Sequence, residues 1–191
     1  MRKPRILAFS GSARRESFNQ RLIEFAATDA RAAGAEVTVI NLRDYPMPIM
    51  NQDIEREEGP PESAMKLKTL FIEHDGLLLA APEYNSSITP LLKNTLDWVS
   101  RRVGDEPPMV AYRNKTAALL SASPGRLGGL RGLVHTRAIL NTLGMLVLPS
   151  QASISSAAAA FDENGALLHD YDRNTVNSLI VDFIKLTKRF A

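Results

Sequence analysis

Short, nearly continuous apolar runs alternate along the chain with longer segments that have the apolar spacing of amphipathic helices. Such runs are typical of parallel strands that helices cover on both faces. Three segments are of this kind: RILAFSGS, GLLLAAPEY and KTAALLSAS. Two further strands are predicted in AEVTVINL, which shows alternation, and in MLVLPSQASIS, which follows a glycine. The intervening segments predict helices over residues 18–33, 62–73, 90–102, 129–143 and 174–190.

Strands and helices therefore alternate without a break. Because each parallel crossover needs a connecting helix, this order predicts an α/β fold, a three-layer α/β/α sandwich around a parallel sheet. The last helix places Val176, Leu179, Ile180, Phe183 and Ile184 on one face, which should cover the sheet. A chain of 191 residues without a repeat or linker predicts a single domain over residues 1–191. The turn-rich stretches 45–63 and 161–174 are expected to be surface loops.

Composition narrows the classes of function. Hydrophobic residues make up 45% and charged residues 23% of the chain, as in ordinary folded domains. The longest apolar runs fall far short of the roughly 20 residues that cross a bilayer, so we expect a cytoplasmic protein without a membrane partner. The net charge of +2 is scattered among acidic residues, which does not indicate nucleic-acid binding. Because the chain has no cysteine, redox chemistry would need a bound cofactor.

A polar loop, within FSGSARRESFNQRL, follows the first predicted strand. In open α/β sheets, ligands bind at the carboxyl ends of the strands. Ser17 and Gln20 fit a capping box, and the helix that they open would point free amides and a positive dipole end at an anion. The loop lacks both the GxGxxG and the GxxxxGK[ST] patterns, so we expect it to hold a single phosphate.

Side chains in this loop suit a phosphate. Hydroxyl and amide donors come from Ser12, Ser17 and Asn19, and a planar cation comes from Arg14 or Arg15. The alternative interpretation is that Ser17 only caps the helix and that the arginines are solvated.

Two further loops are expected at the same sheet edge. Thr89 and Pro90 predict the start of a helix, which leaves residues 82–88 as a loop whose Tyr84 ring and Asn85 amide could meet a flat heterocycle. The fourth strand ends in SASPGRLGGLRG, where glycines allow close approach of the backbone to a ligand. Each loop alone could be a plain strand-to-helix turn. Together, the three loops suit a mononucleotide with a planar end.

The segments GSARRESFN, PEYNSSITPLLKNTLDWVSR and SPGRLGGLRGLVHTRAILNTLG resemble the NADPH-dependent FMN reductase family, which includes chromate and quinone reductases. The family pattern G-S-x-R-x-x-S-x-N falls on Gly11, Ser12, Arg14, Ser17 and Asn19, and the P-E-Y-N tetrad falls on Pro82, Glu83, Tyr84 and Asn85. The chain departs from the family at Pro90 and Leu91, where a glycine pair is frequent, and at Arg126, where a neutral residue is common. These departures concern the substrate rather than the flavin.

The resemblance implies a flavodoxin-like five-stranded parallel sheet in the order 2-1-3-4-5. It also implies that the first loop holds the phosphate of FMN, that NADPH or NADH is the electron donor, and that the protein is a homodimer or homotetramer. The residues expected to contact FMN are Ser12, Arg14, Ser17, Phe18, Asn19, Pro82, Glu83, Tyr84, Asn85, Ser121, Ser123 and Gly125.

No catalytic side chain and no metal ligand are predicted, because hydride chemistry belongs to the flavin and the three histidines lack metal-like spacing. The predicted function is an NAD(P)H-dependent, FMN-containing oxidoreductase. It would reduce quinones, free flavin, azo compounds or metal oxyanions such as chromate by a ping-pong mechanism. The rival interpretations are a flavodoxin-type electron carrier and a flavin-binding sensor. Carriers of that type are usually strongly acidic, so the net charge of +2 favours the enzyme.

Overall fold

A computed structural model describes residues 2–190 of the chain. Its elements in chain order are β1 (Arg5–Ser10), α1 (Phe18–Ala32), β2 (Glu36–Asn41), α2 (Gln52–Glu58), α3 (Glu62–Glu73), β3 (Gly76–Ala80), β4 (Glu83–Tyr84), β5 (Ser87–Ile88), α4 (Pro90–Val99), β6 (Thr116–Ala122), α5 (Leu130–Thr142), β7 (Leu146–Ile154) and α6 (Asp170–Phe190). Single turns of 3-10 helix cover Leu42–Asp44 and Ala157–Ala159.

The sheet confirms the predicted fold class. Five parallel strands lie in the order β2-β1-β3-β6-β7, which is 2-1-3-4-5 when only the strands of this sheet are counted. β4 and β5 form a separate antiparallel hairpin within residues 82–88, a segment predicted to be a loop. The topology reverses direction beside β1, so the carboxyl ends of β1 and β3 flank the position where open sheets bind ligands.

Apolar side chains on both faces of the sheet form the core. α1 and α6 pack on one face, and α3, α4 and α5 pack on the other. Every residue of β3 and β6 is buried, which explains their nearly continuous apolar sequences. The predicted apolar face of the last helix is also buried, as its five residues Val176, Leu179, Ile180, Phe183 and Ile184 show.

Helix boundaries differ from the prediction by more than one residue at two ends. α4 ends at Val99 rather than at residue 102, because the Ser100 hydroxyl donates to the Asp97 carbonyl at 2.7 Å and competes with a further helical turn. α6 begins at Asp170 rather than at residue 174, inside the stretch expected to be a loop. Asp170 and Asp172 lie in its first turn, where negative charge faces the positive end of the helix dipole.

The helix α2 was missed, because residues 45–63 were expected to form a surface loop. None of its residues is buried, so no apolar stripe marks it in the sequence. Its start is instead set by the Asn51 side chain, which accepts a hydrogen bond from the Asp53 backbone at 2.8 Å.

Within residues 2–190, no helix combines the length and the apolar character that crossing a membrane requires. The same part of the chain contains no group of three or more histidine, aspartate or glutamate side chains arranged to hold a metal ion.

Candidate functional site

A cleft of about 230 Å³ lies at the carboxyl ends of β1, β3 and β6. Its lining consists of Ser12, Arg14, Ser17, Phe18, Asn19, Pro82, Glu83, Tyr84, Ala122, Ser123 and Pro124. Nine of these eleven residues were predicted to contact FMN, and the other two, Ala122 and Pro124, flank Ser123. A larger cleft of about 350 Å³ lies beside α1 and residues 164–166, but it gathers none of the predicted residues. The convergence of three loops, rather than volume, makes this cleft the candidate site.

The first loop packs directly against the start of α4. The Gly11 backbone donates to the Ala80 carbonyl at 2.9 Å, and its own carbonyl accepts from the Thr89 hydroxyl at 2.7 Å. A side chain at Gly11 would come within 3.0 Å of the Leu92 Cβ. Thr89 also caps α4, as predicted, by accepting from the Leu92 backbone at 3.2 Å. One threonine thus fixes both the polar loop and the helix that follows β5.

The amino-terminal end of α1 forms one wall of the cleft. The buried Ser17 hydroxyl accepts from the Gln20 backbone at 3.3 Å, which confirms the predicted N-cap. The prediction of a full capping box was wrong. The Gln20 side chain donates to the Glu24 carboxylate at 3.1 Å instead of binding the Ser17 backbone N–H. The backbone amides of Phe18 and Asn19 lie in the first turn, where a helix offers no internal acceptors. These amides and the positive helix end suit an anion.

Of the two candidate arginines, Arg14 lines the cleft and Arg15 does not. The Arg14 guanidinium lies 5.1 Å from the centroid of the Phe18 ring, and its backbone donates to the Ser12 hydroxyl at 3.2 Å. Stacking on Phe18 holds the cation at the mouth of the first loop. Arg15 is exposed.

The polar loop is braced by a residue that sequence reasoning missed. The guanidinium of Arg43, just after β2, donates to the Ala13 carbonyl from Nε at 3.1 Å and from Nη2 at 2.8 Å. No pattern in the sequence links these positions, which lie on different loops. The two hydrogen bonds to one carbonyl oxygen fix the loop backbone to the segment that follows β2.

Asn19 bridges the first and third loops. Its buried side chain donates from Nδ2 to the Ala122 carbonyl at 2.8 Å and accepts at Oδ1 from the Ala122 backbone at 2.9 Å. Both amide atoms therefore bind protein, and the Asn19 backbone N–H is the group that a ligand at the helix end would meet.

The second loop is the hairpin β4–β5. Its turn residues Asn85 and Ser86 have φ of 50° and 66°, as type I′ hairpin turns require. Tyr84, which is 60% exposed, stands in the cleft lining, whereas Asn85 lies at the exposed tip outside it. The Glu83 carboxylate accepts from the Gly132 backbone at 2.8 Å and is thus directed toward α5.

The third loop takes its shape from contacts beneath it. Ser121 is fully buried and its hydroxyl donates to the Gly128 carbonyl at 2.6 Å, so it supports the loop from inside rather than lining the cleft. Gly125 also lies outside the lining, and its backbone donates to the Ser123 hydroxyl at 3.2 Å. Gly128 has φ of 60°, and a Cβ there would lie 2.8 Å from the Ile154 backbone. Only glycine fits this close approach.

The histidines stand apart from the chemistry of the cleft. His74 is buried and both of its ring nitrogens are occupied, by the Leu70 carbonyl at 2.6 Å and the Thr38 hydroxyl at 2.8 Å. Burial lowers the pKa of His74, which keeps its ring neutral. His135 contacts Ser87 of the hairpin, and His169 is exposed.

The residues present fit FMN. At one end of the cleft, first-turn amides of α1 and a stacked arginine offer a phosphate site, and at the other end the Tyr84 hairpin and the third loop offer apolar and backbone surface. Ser10, which ends β1 directly before the polar loop, is fully buried, and its hydroxyl has no hydrogen-bond partner among residues 2–190. A buried hydroxyl without a partner is costly, but Ser10 does not line the cleft, so the fit to FMN rests on the lining residues.

The fold and the cleft define a flavodoxin-like protein with a mononucleotide site. The chain matches the family model described as NADPH-dependent FMN reductase over residues 4–159, and it belongs to that family. The resemblance seen in the motifs is thereby confirmed. The protein is an oxidoreductase that uses FMN as cofactor and NAD(P)H as electron donor.

Similar proteins carry names that agree with this family. An NAD(P)H-dependent FMN reductase of Pseudomonas aeruginosa is 34% identical over 90% of this chain and 89% of its own. A quinone reductase of Pseudomonas putida is 31% identical over 93% of this chain and 91% of its own. Among solved structures, the flavoenzyme NAD(P)H:(acceptor) oxidoreductase FerB from Paracoccus denitrificans superposes with a TM-score of 0.83 at 24% identity, over 98% of each chain. At that identity, the structural likeness supports the fold.

Proposed function

We propose that this enzyme transfers two electrons from NAD(P)H to a small-molecule acceptor at the cleft formed by the three loops. The observation that carries the proposal is the convergence of nine residues predicted to contact FMN on one cleft beside the first turn of α1. Quinones are the favoured acceptor class, because the relative that is 31% identical is named a quinone reductase. Free flavin, azo compounds and metal oxyanions such as chromate are further candidates.

FMN supplies the hydride chemistry and stores the electrons between donor and acceptor. The protein supplies the binding and orientation. The amides of Phe18 and Asn19, together with Arg14, would bind the phosphate, and the Tyr84 hairpin and the third loop would flank the ring. No side chain in the lining needs to donate or accept a proton, so placement and exclusion of water are what the residues contribute.

Donor and acceptor are proposed to occupy the same cleft in turn. The three loops at the carboxyl ends of β1, β3 and β6 converge on one ligand, and the chain contains no GxGxxG fingerprint for a second nucleotide. Sharing one place makes the two substrates mutually exclusive. The kinetic order that follows is ping-pong.

This order is tested by initial rates with NADPH as the varied substrate at several fixed quinone concentrations. Double-reciprocal plots should be parallel, and high quinone concentrations should inhibit competitively with NADPH because both bind in one cleft. Intersecting lines, together with a ternary complex of oxidised enzyme, quinone and nicotinamide, would contradict the shared cleft. The absence of NADPH oxidation with every acceptor class would contradict the proposed turnover itself.

We also propose that the protein forms a homo-oligomer, either a dimer or a tetramer. Large apolar side chains are exposed at the start of α5, with Leu130 at 40% and Val134 at 59%, one turn apart on the same helix. Leu127, just before the helix, is 46% exposed and extends this apolar surface. Contiguous exposed apolar surface is typical of an interface.

Light scattering at micromolar concentration should therefore give at least twice the mass of the 21.0 kDa chain. Val134→Lys should shift the mass toward the monomer, because a lysine would have to be desolvated in the interface. Leu168→Lys is the matched control, since Leu168 is 51% exposed but precedes α6. A wild-type monomer, or equal effects of the two lysines, would contradict the α5 interface.

A further inference from the structure

The β4–β5 hairpin is attached to α5 by three polar contacts. They join Glu83 Oε2 to the Gly132 N–H at 2.8 Å, Arg131 Nη1 to Ser86 Oγ at 3.2 Å, and His135 Nδ1 to Ser87 Oγ at 2.8 Å. The first is the best shielded, because Gly132 is buried and Glu83 is half-buried, whereas Arg131 and His135 are exposed. The hairpin therefore depends mainly on the Glu83 carboxylate for its polar attachment.

The position of this carboxylate is that of a helix cap. α5 begins after Gly129, which has no side chain with which to cap the helix. Gly132 lies in the first turn, where its N–H has no acceptor within the helix. The carboxylate of Glu83 accepts that hydrogen bond and places a negative charge at the positive end of the helix dipole. A residue of the hairpin thus performs the capping for α5.

Close packing leaves little room between the two elements. A Cβ at Gly132 would lie 3.3 Å from the Glu83 Cβ and 3.3 Å from the Ser87 carbonyl oxygen. The glycine inside α5 therefore allows the hairpin to lie against the helix backbone. Movement of the Glu83 side chain would be transmitted directly to the hairpin.

The hairpin needs this attachment. Its strands are two residues each, and a hairpin of that size is at best marginally stable by itself. Its turn places Asn85 and Ser86 at positive φ, which residues other than glycine adopt at a cost. Tyr84, which stands in the cleft lining, follows Glu83 directly. Whatever holds Glu83 also holds Tyr84.

We propose that Glu83 is a positioning residue that, by capping α5, fixes Tyr84 at the ring side of the FMN cleft. Glu83 was predicted as an FMN contact, but its carboxylate acts on the protein and its effect on the flavin passes through Tyr84. This inference rests on the proposed placement of the flavin ring beside the hairpin. It assigns the carboxylate no part in proton transfer.

The test separates the ring side of the cleft from the phosphate side by comparing FMN with riboflavin, which lacks the phosphate. Dissociation constants for both are measured with the full-length chain after removal of its flavin. Glu83→Ala should weaken both by the same factor, about tenfold, the scale of one lost hydrogen bond to a charged group. Glu83→Gln keeps an acceptor oxygen and should restore both to within roughly threefold of wild type. Ser17→Ala is the phosphate-side comparison, which should weaken FMN more than riboflavin.

A double-mutant cycle tests whether the effect passes through Tyr84. In a Tyr84→Ala background, Glu83→Ala should change riboflavin affinity by less than about twofold, because its target is gone. Additive losses would overturn the proposal. If Glu83→Ala does not fold, Glu83→Asp, whose carboxylate is one methylene shorter, replaces it in the same cycle with the same expected pattern.

Two further results would overturn the proposal. If Glu83→Gln is as impaired as Glu83→Ala and its rate loses one limb of the pH profile, the carboxylate moves a proton. If Glu83→Ala weakens FMN but not riboflavin, the carboxylate acts at the phosphate side. Failure of the proposed function is distinguishable from either, because the wild-type chain would then bind FMN without oxidising NADPH.

Discussion

Asn19→Asp should lower the free energy of unfolding by about 2–4 kcal/mol, the scale of a buried carbonyl left unpaired beside a buried charge. The wild-type amide is buried and makes two hydrogen bonds to the Ala122 backbone, one as donor and one as acceptor. Aspartate keeps the acceptor but places a carboxylate oxygen against the Ala122 carbonyl. FMN affinity should fall as well, because the new charge lies at the end of α1 where the phosphate is proposed to bind.

The stability loss should depend on pH. Desolvation and the facing carbonyl raise the folded-state pKa of the new carboxyl above its unfolded value. A carboxyl whose pKa is higher in the folded state than in the unfolded state stabilises the folded state when it is protonated. The difference in the free energy of unfolding between Asn19→Asp and wild type should therefore shrink as the pH falls toward 4. The protonated acid can then donate to the Ala122 carbonyl as the amide does.

Urea unfolding of the full-length chain at several pH values measures this effect. Asn174→Asp, at an exposed position in α6, is the matched control for the charge change alone. Equal unfolding midpoints for the two variants would show that the Asn19 bridge carries no stability.

Asn19 also shows how far the sequence could predict the site. Its place in the G-S-x-R-x-x-S-x-N pattern predicts an FMN contact, and the structure places it in the cleft lining. The pattern did not reveal that its side chain binds protein, because the partner lies 103 residues further along the chain. Arg43 was missed for a similar reason, since its target Ala13 is 30 residues away and no periodicity connects them. Local patterns identify which residues meet at a sheet edge, but not which of them support the others.

The fold was more predictable than the site, because buried positions of strands and helices carry apolar residues at regular spacing in the sequence. The strands β3 and β6 are buried throughout and read as apolar runs, and α6 shows its buried face at helical spacing. Elements with few or no buried residues lack this apolar spacing. α2 has no buried residue, and the hairpin strands are too short for alternation to be recognised.

Arg14→Ala should weaken FMN binding by about 1.5–3 kcal/mol, the usual worth of hydrogen bonds to a charged group, which corresponds to roughly 10-fold to 150-fold in the dissociation constant. Arg14 lines the cleft and stacks on Phe18, so its guanidinium is held where the phosphate is expected. Within residues 2–190, no carboxylate lies within ion-pair distance of Arg14, so none of these residues competes with a bound anion. Riboflavin affinity should be unchanged, because the riboflavin molecule carries no phosphate.

Arg15→Ala is the matched control, since it removes the same charge from an exposed neighbour that lies outside the lining. Arg14→Lys should fall between alanine and wild type, because lysine keeps the charge but loses the planar fork and the stacking on Phe18. Titration of the flavin-free chain with FMN at two salt concentrations should give a smaller salt dependence for Arg14→Ala than for wild type. If Arg15→Ala weakens FMN binding and Arg14→Ala does not, the cation that binds the phosphate is Arg15. The assignment of the phosphate site to the arginine that stacks on Phe18 would then be wrong by one residue.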